Sequence, residues 1–230
     1  MNTPSSFWAV VPAAGIGSRM AAALPKQYLE IAGKTILEHT IERLLSVESI
    51  ERVVVALHPE DVHWNKLGCA SHPRVSAVTG GAERAQSVAL ALEYIKGCAA
   101  QDVWVLVHDA ARPCVRIEDI QRLMAAGEGA LLAAPISDTV KRAERAQVIE
   151  TLDRQQLWSA MTPQMFSLNQ LHSALTSAAA KGQPVTDEAS AIEFVGGRPR
   201  LVEASRDNIK VTRPEDLALA EMILTRQREE

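Results

Sequence analysis

Two glycines directly after an apolar run, with an arginine and a lysine close behind, are residue types that can hold phosphate. They occur here in Pro12-Ala13-Ala14-Gly15-Ile16-Gly17-Ser18-Arg19-Met20 and in Pro25-Lys26-Gln27. A glycine turn lets the backbone approach a ligand closely and aims its N–H groups at phosphate oxygens. Arg19 and Lys26 then add two full positive charges. Two familiar phosphate loops are excluded by one position each. The dinucleotide fingerprint needs a third glycine where Met20 stands, and a Walker A loop ending at Gly33-Lys34-Thr35 needs one where Tyr28 stands. The glycines alone suit a tight βα turn beside surface cations just as well. With Arg19, Pro25 and Lys26 included, phosphate binding is the better account.

Asp109 follows the apolar run Val103–Val107, so it stands at a strand's carboxyl end, where open α/β sheets bind ligands. A helix N-cap is its other possible use. His108 beside it suits packing, and His58 and His63 suit the surface. No His, Cys, Asp or Glu cluster has metal-ligand spacing. Cys69, Cys98 and Cys114 are odd in number and form no Cys-x-x-Cys pair, which fits free thiols in a reducing cytoplasm. Arg154 and Lys210, on surface statistics alone, are solvated cations.

The elements that must position these residues alternate between strand and helix. Phe7–Pro12, Arg52–His58, Val75–Thr79, Val103–Val107, Ala130–Pro135 and Arg200–Glu203 read as strands. Helices are expected over Thr35–Ser46, Glu83–Lys96, Ile117–Ala126, Leu168–Ala180 and Asp187–Val195, with a short one at Pro59 and a last one from Pro214. Thr35 with Glu38, and Thr212 with Glu215, have capping-box spacing. Residues 137–154 depart from this rhythm: Thr139, Lys141, Ala143 and then Gln147, Ile149, Thr151 alternate around Glu144–Ala146. That pattern predicts a charged β-hairpin which cannot bury much by itself. The expected fold class is α/β, a mainly parallel, Rossmann-like twisted sheet flanked by helices, forming one domain over 1–230 with a protruding β-hairpin arm.

Composition bounds the function. The 230 residues are 47% hydrophobic and 23% charged, which excludes disordered, collagen-like and coiled-coil chains. A formal charge of −4 argues against a nonspecific nucleic-acid binder. Met1–Ser6 has no Lys or Arg, and no uncharged stretch nears the ~20 apolar residues of a membrane span. A cytoplasmic protein without targeting segment is expected.

The glycine loop with Pro25-Lys26-Gln27 resembles nucleotidyltransferases, and further strings narrow the resemblance. Gly80-Gly81-Ala82-Glu83-Arg84-Ala85-Gln86-Ser87, Val107-His108-Asp109-Ala110-Ala111-Arg112-Pro113, Asp153-Arg154, Leu157-Trp158, Thr162-Pro163-Gln164, Thr186-Asp187-Glu188-Ala189-Ser190 and Asp207-Asn208-Ile209-Lys210-Val211-Thr212 are similar, in matching order, to the 2-C-methyl-D-erythritol 4-phosphate cytidylyltransferases of the non-mevalonate isoprenoid pathway. The resemblance implies CMP transfer from CTP to methylerythritol 4-phosphate, with Mg²⁺ on the triphosphate. Arg19, Lys26, Arg154 and Lys210 would be catalytic. Pro12, Ala13, Ala14, Gly15, Gly17, Lys26, Gly81, Ser87, Asp109 and Ala110 would bind the nucleotide. Asp109, Arg112, Thr139, Arg154, Thr162, Thr186 and Lys210 would bind the polyol phosphate. It also implies a homodimer in which the arm crosses to the second subunit, and a monofunctional form without the cyclodiphosphate-synthase half of fused relatives. The chain departs from the family pattern at Ala82, where an Asp is usual, so a side-chain contact to the nucleotide is missing or replaced by backbone. The alternatives are a cytidylyltransferase for another polyol phosphate such as ribitol 5-phosphate, a nucleotide-dependent oxidoreductase, which Met20 disfavours, and a non-catalytic nucleotide-binding module.

Overall fold

The computed structural model describes residues 6–15, 24–99 and 102–230. Strand β1 (Phe7–Ala13) is buried along its length because it is central, pairing in parallel with β4 (Ile50–Leu57) on one side and β6 (Trp104–Val107) on the other. Between β1 and β4 the chain forms a small antiparallel pair, β2 (Glu30–Ile31) with β3 (Lys34–Thr35). Beyond β4 lies β5 (Val75–Thr79), also parallel. Beyond β6 come β10 (Trp158–Ser167), β7 (Ala130–Pro135) and β11 (Arg200–Glu203), giving the order β11-β7-β10-β6-β1-β4-β5. Only β10 runs antiparallel to its neighbours in this seven-stranded sheet.

The period of two along β1 divides the core between the two faces. Phe7, Ala9, Val11 and Ala13 pack with Leu37, Ile41 and Leu44 of α1 (Ile36–Leu45) and with Ile120 and Leu123 of α3 (Ile117–Met124). Trp8 and Val10 pack with Val88, Leu92 and Ile95 of α2 (Arg84–Cys98) and with Leu171 and Leu175 of α4 (Leu168–Ala180). Helix α5 (Glu188–Phe194) joins the second face through Ala189 and Ile192, while α6 (Glu215–Glu229) covers a smaller cluster around Ile36, Cys114 and Val211. No helix among the described residues is long and apolar enough to cross a membrane.

Most expected elements are present, with three differences. Strand β10 had no counterpart in the sequence pattern, because Pro163, joined to Thr162 by a cis bond, interrupts its run. At Pro59 there is a turn rather than a helix. Short 3₁₀ turns follow at Trp64–Lys66 and Gly68–Ser71, the first nucleated by Asp61 Oδ1 accepting from the N–H groups of His63 and Trp64 at 2.9 and 2.8 Å. The box at Thr35 and Glu38 forms as expected. At the last helix, however, Asp216 rather than Glu215 caps, its Oδ2 accepting from Thr212 N, Thr212 Oγ1 and Arg213 N at 2.8–3.0 Å. The arm is a separate two-stranded sheet of β8 (Val140–Glu144) and β9 (Gln147–Leu152). It turns at Arg145 and Ala146, both in the left-handed region that Asn and Gly usually fill in such two-residue hairpins. Val148 and Ile149 lie exposed on it.

Candidate active site

Strands β1 and β6 end side by side, and their carboxyl ends open into a cleft of about 420 Å³. Pro12–Gly15 line it from β1, and Asp109–Ala111 from the loop after β6. Gly81–Arg84 and Ser87 come from the entry to α2, Lys26 and Gln27 from a 3₁₀ turn, and Lys210 and Thr212 from the segment before α6. Residues more than 180 positions apart thus meet, because the segment before α6 is tied to the loop after β6 by Val211 N donating to Ala111 O at 2.8 Å. Gly17 and Arg19 lie outside the described residues.

Lys26 begins the 3₁₀ turn Lys26–Tyr28, for which Pro25 presets an extended entry. The turn is fastened to β1 by the buried Gln27, whose Nε2 donates to Ala13 O at 2.8 Å. On its other side Tyr28 donates to Asp61 Oδ2 at 2.7 Å, and burial together with that carboxylate pushes the phenol far above its ordinary range. Lys26 Nζ, so placed, donates to Val211 O at 3.2 Å. This brings it to the side of the cleft that carries Lys210.

The backbone of the Gly80-Gly81 turn packs closely against neighbouring side chains. A Cβ on Gly80 would fall 2.7 Å from the Ala14 Cβ and 2.9 Å from Ser87 Oγ, and one on Gly81 would fall 2.5 Å from the Gln86 Cβ. Ser87 Oγ accepts from Gly81 N at 3.1 Å and bonds Glu83 O at 3.1 Å, so the hydroxyl expected to touch the nucleotide also shapes the turn. Ala82 lines the cleft, and its N–H donates to Gln86 Oε1 at 3.1 Å.

Asp109 is the electrostatic centre. It is 7% exposed, and its two oxygens meet three cations: Oδ1 accepts from Arg84 Nε at 2.9 Å, while Oδ2 lies 2.7 Å from Lys210 Nζ and 3.7 Å from Arg112 Nε. Burial alone would raise the carboxyl, but Arg84, Lys210 and Arg112 outweigh it and hold Asp109 well below the usual range. Arg84 reaches further to the buried Glu188, so within this group three cations face two carboxylates. Lys26 lines the same cleft.

The support behind Asp109 is buried and hydrogen-bonded, save that Arg112 Nε and Asn208 Oδ1 have no hydrogen-bond partner among the described residues. Asp109 N donates to Thr162 Oγ1 at 3.0 Å, and Thr162 Oγ1 lies 3.0 Å from His108 Nδ1. His108 Nε2 is 3.0 Å from Arg112 O, which can only accept, so the network assigns the proton to Nε2 and leaves Nδ1 to accept from Thr162. Burial lowers the His108 pKa to about 4, in keeping with a neutral ring. Thr40 Oγ1 donates to Ala110 O at 3.0 Å, Val211 N to Ala111 O at 2.8 Å, and Asn208 Nδ2 to Thr162 O at 2.8 Å. The loop after β6 is therefore tied to α1, to β10 and to the segment carrying Lys210.

Of the expected site residues, Pro12, Ala13, Ala14, Gly15, Lys26, Gly81, Ser87, Asp109, Ala110 and Lys210 line one cleft. Thr162 sits behind Asp109, 4% exposed, rather than at the surface of the cleft. Arg112 does not line it either: its guanidinium donates to Asn208 O at 2.6 Å and faces Asp109. Thr139 and Arg154 are exposed on the arm, where Arg154 donates to Ser137 O, and Thr186 is exposed in the turn before α5, where it bonds Ser190 Oγ. Arg84, Glu188, Gln27 and Asn208 stand in the motif strings, yet sequence reasoning gave them no work. Their signal was adjacency to the glycines and to Lys210.

The same arrangement of strands recurs in known proteins. The chain matches the family model for 2-C-methyl-D-erythritol 4-phosphate cytidylyltransferase over residues 7–226. The chain belongs to this family. It is 53% identical over 230 residues to the cytidylyltransferase of Vibrio vulnificus strain CMCP6, covering 98% of this chain and 97% of that one. It is 54% identical over 221 residues to that of Photobacterium profundum, covering 92% and 93%. The crystal structure of the Francisella tularensis cytidylyltransferase superposes with a TM-score of 0.83 at 36% identity, over 95% of this chain and all of that one. A structure of a 4-diphosphocytidyl-2C-methyl-D-erythritol synthase does so at 0.83 and 39%, over 96% of this chain and 98% of that one.

Proposed function

We propose that this cleft transfers CMP from CTP to 2-C-methyl-D-erythritol 4-phosphate, giving 4-diphosphocytidyl-2-C-methyl-D-erythritol and pyrophosphate. The observation that carries the reading is the convergence of Lys26, Arg84 and Lys210 on the cleft that Asp109 lines, beside a strand end that presents backbone from Pro12 to Gly15. An oxygen of the polyol phosphate attacks the α-phosphorus in line. A new P–O bond forms, the bond to the β-phosphate oxygen breaks, and its electron pair leaves with pyrophosphate. The nucleophile is already an anion, so no general base is needed, and what the protein supplies is position and positive charge.

The nucleotide rests on Pro12, Ala13, Ala14, Gly15 and Gly17, with Gly81, Ser87, Asp109 and Ala110 at its base and ribose. Lys26 and Arg19 meet the charge that builds on the α-phosphate. Lys210 takes the polyol phosphate, with Arg112 and Thr162 holding Asp109 from behind and Thr186 at the rim. Among the described residues no three His, Cys, Asp or Glu side chains gather as a metal site. Asp109, the carboxylate at the strand end, already faces three cations. That arrangement fits Mg²⁺ that would arrive with the triphosphate and be held mainly by phosphate oxygens and water. When bound, the ion neutralises part of the phosphate charge. The free thiols and phosphorylated substrates fit the cytoplasm.

Pyrophosphate release decides the reading. CTP, ATP, GTP and UTP are crossed against the phosphates of methylerythritol, ribitol and glycerol, and turnover is expected with CTP and methylerythritol phosphate. Turnover only with ribitol phosphate would transfer the assignment to that substrate, and none with any pair would leave a binding module.

The arm completes the site in a homodimer. It exposes Val148 and Ile149 with no core of its own, and its Thr139 and Arg154 lie outside the cleft of their own chain. An arm crossing to a second copy buries the former and delivers the latter to the partner's polyol phosphate. Mixing inactive Lys26→Ala and Arg154→Ala chains is therefore expected to restore up to about a quarter of parental activity, the share of sites carrying neither substitution when subunits mix at random. Sites built within one chain would show no recovery.

A further inference from the structure

The chain of charges at the cleft does not end at Asp109. Glu188, the first residue of α5, is 1% exposed and takes both terminal nitrogens of Arg84, with Nη1 to Oε1 at 2.6 Å and Nη2 to Oε2 at 3.0 Å. A guanidinium prefers to grip one carboxylate through two parallel N–H groups. With that fork occupied, Arg84 offers Asp109 only its Nε, at 2.9 Å to Oδ1. Oδ2 of Asp109 is thereby left to Lys210 Nζ at 2.7 Å.

Glu188 cannot follow Arg84 if the arginine moves. Its neighbour Ala189 donates its N–H to Gln164 Oε1 at 2.8 Å, and Gln164 Nε2 donates to Asp187 Oδ2 at 2.9 Å. Gln164 belongs to β10, so the first turn of α5 is pinned to the sheet.

We propose that Glu188 is a positioning residue for Lys210: by holding the Arg84 fork it keeps Arg84 from closing on both oxygens of Asp109 and so reserves one of them for the lysine. For catalysis this rests on Lys210 receiving the polyol phosphate. A glutamine at this position keeps the shape but loses the charge that holds the fork. Arg84 then turns to Asp109 bidentately and Lys210 is released.

The direct readout is the rate at which Lys210 is acylated by an N-hydroxysuccinimide ester, measured by mass spectrometry on the full chain and referenced to exposed Lys66. In Glu188→Gln this rate is expected to rise about tenfold, as a charge-assisted bond is lost. The KM for the polyol phosphate should rise by a similar factor, with that for CTP within about twofold. Combining Glu188→Gln with Arg84→Lys replaces the fork by a single ammonium that cannot cover both oxygens of Asp109, so acylation of Lys210 should return to within about twofold of the parent. Unchanged labelling in Glu188→Gln, or equally raised labelling in the double variant, overturns the proposal. If Glu188→Gln does not fold, Glu188→Asp carries the same test: its shorter carboxylate loosens the fork, and parental labelling there overturns it too. Labelling needs no turnover, so failure of CMP transfer in the parent chain would overturn the assigned reaction separately.

Discussion

Lys26→Ala is expected to lower kcat by about a thousandfold, or roughly 4 kcal/mol of transition-state stabilisation. The magnitude follows from where the ammonium is held. Pro25 sets the entry to its turn, Gln27 locks the turn to the last carbonyl of β1, and Tyr28 anchors it to Asp61. None of these contacts uses the Lys26 side chain, so the turn should persist and the melting temperature should stay close to that of the parent. The charge on the α-phosphate grows as the new bond forms, so an ammonium fixed beside it acts more strongly in the transition state than on bound CTP. The loss should therefore appear in kcat, with a smaller change in the KM for CTP. Steady-state kinetics with a thermal melt of the same preparation provides the check. A folded Lys26→Ala enzyme with near-parental turnover would remove Lys26 from the catalytic step.

How far these relations could be read from sequence depended on their range along the chain. The parallel strands were legible because burial on both faces leaves continuous apolar runs such as Val53–Leu57 and Val103–Val107. Asp109 was legible from its place at the end of one of them. Strand β10 was not, since its assignment rests on antiparallel pairing with β6 and β7 from distant parts of the chain, and Pro163 argues locally against a strand. Thr162 is read from the resemblance as a substrate contact; the structure adds that its hydroxyl engages Asp109 N and His108 Nδ1, a use that depends on β10 lying beside β6 and that no local pattern encodes. The pairing of Arg84 with Glu188 spans 104 residues, and no local pattern encodes it. At the last helix the error was one of register, with Thr212 capped by the carboxylate four residues on rather than three.

Asp109→Asn should have the largest effect on stability at this cleft, and its sign follows from the cations around it. The folded-state carboxyl is held below its ordinary value of 3.8 by Arg84, Lys210 and Arg112 despite burial. A carboxylate depressed in this way adds stability that is fully present above its unfolded pKa and lost as the pH falls toward the folded value. At neutral pH the whole contribution is in place. Asparagine keeps the shape of the side chain but removes the charge, leaving Arg84 with Glu188 alone and Arg112 and Lys210 without their carboxylate. Breaking a buried pair on one side costs about 3–5 kcal/mol, and the surviving Arg84–Glu188 contact places this case near the lower end, about 3 kcal/mol. For a chain of this length that corresponds to a fall in melting temperature of about 6–12 °C. The difference between parent and variant should shrink as melts are run below about pH 4, where the unfolded parental carboxyl takes up its proton. Lys210 loses its anchor in the same step, so the KM for the polyol phosphate should rise in the variant while Lys26, held through Val211, is left in place. A variant that melts with the parent at pH 7 would show that the three cations do not depend on Asp109.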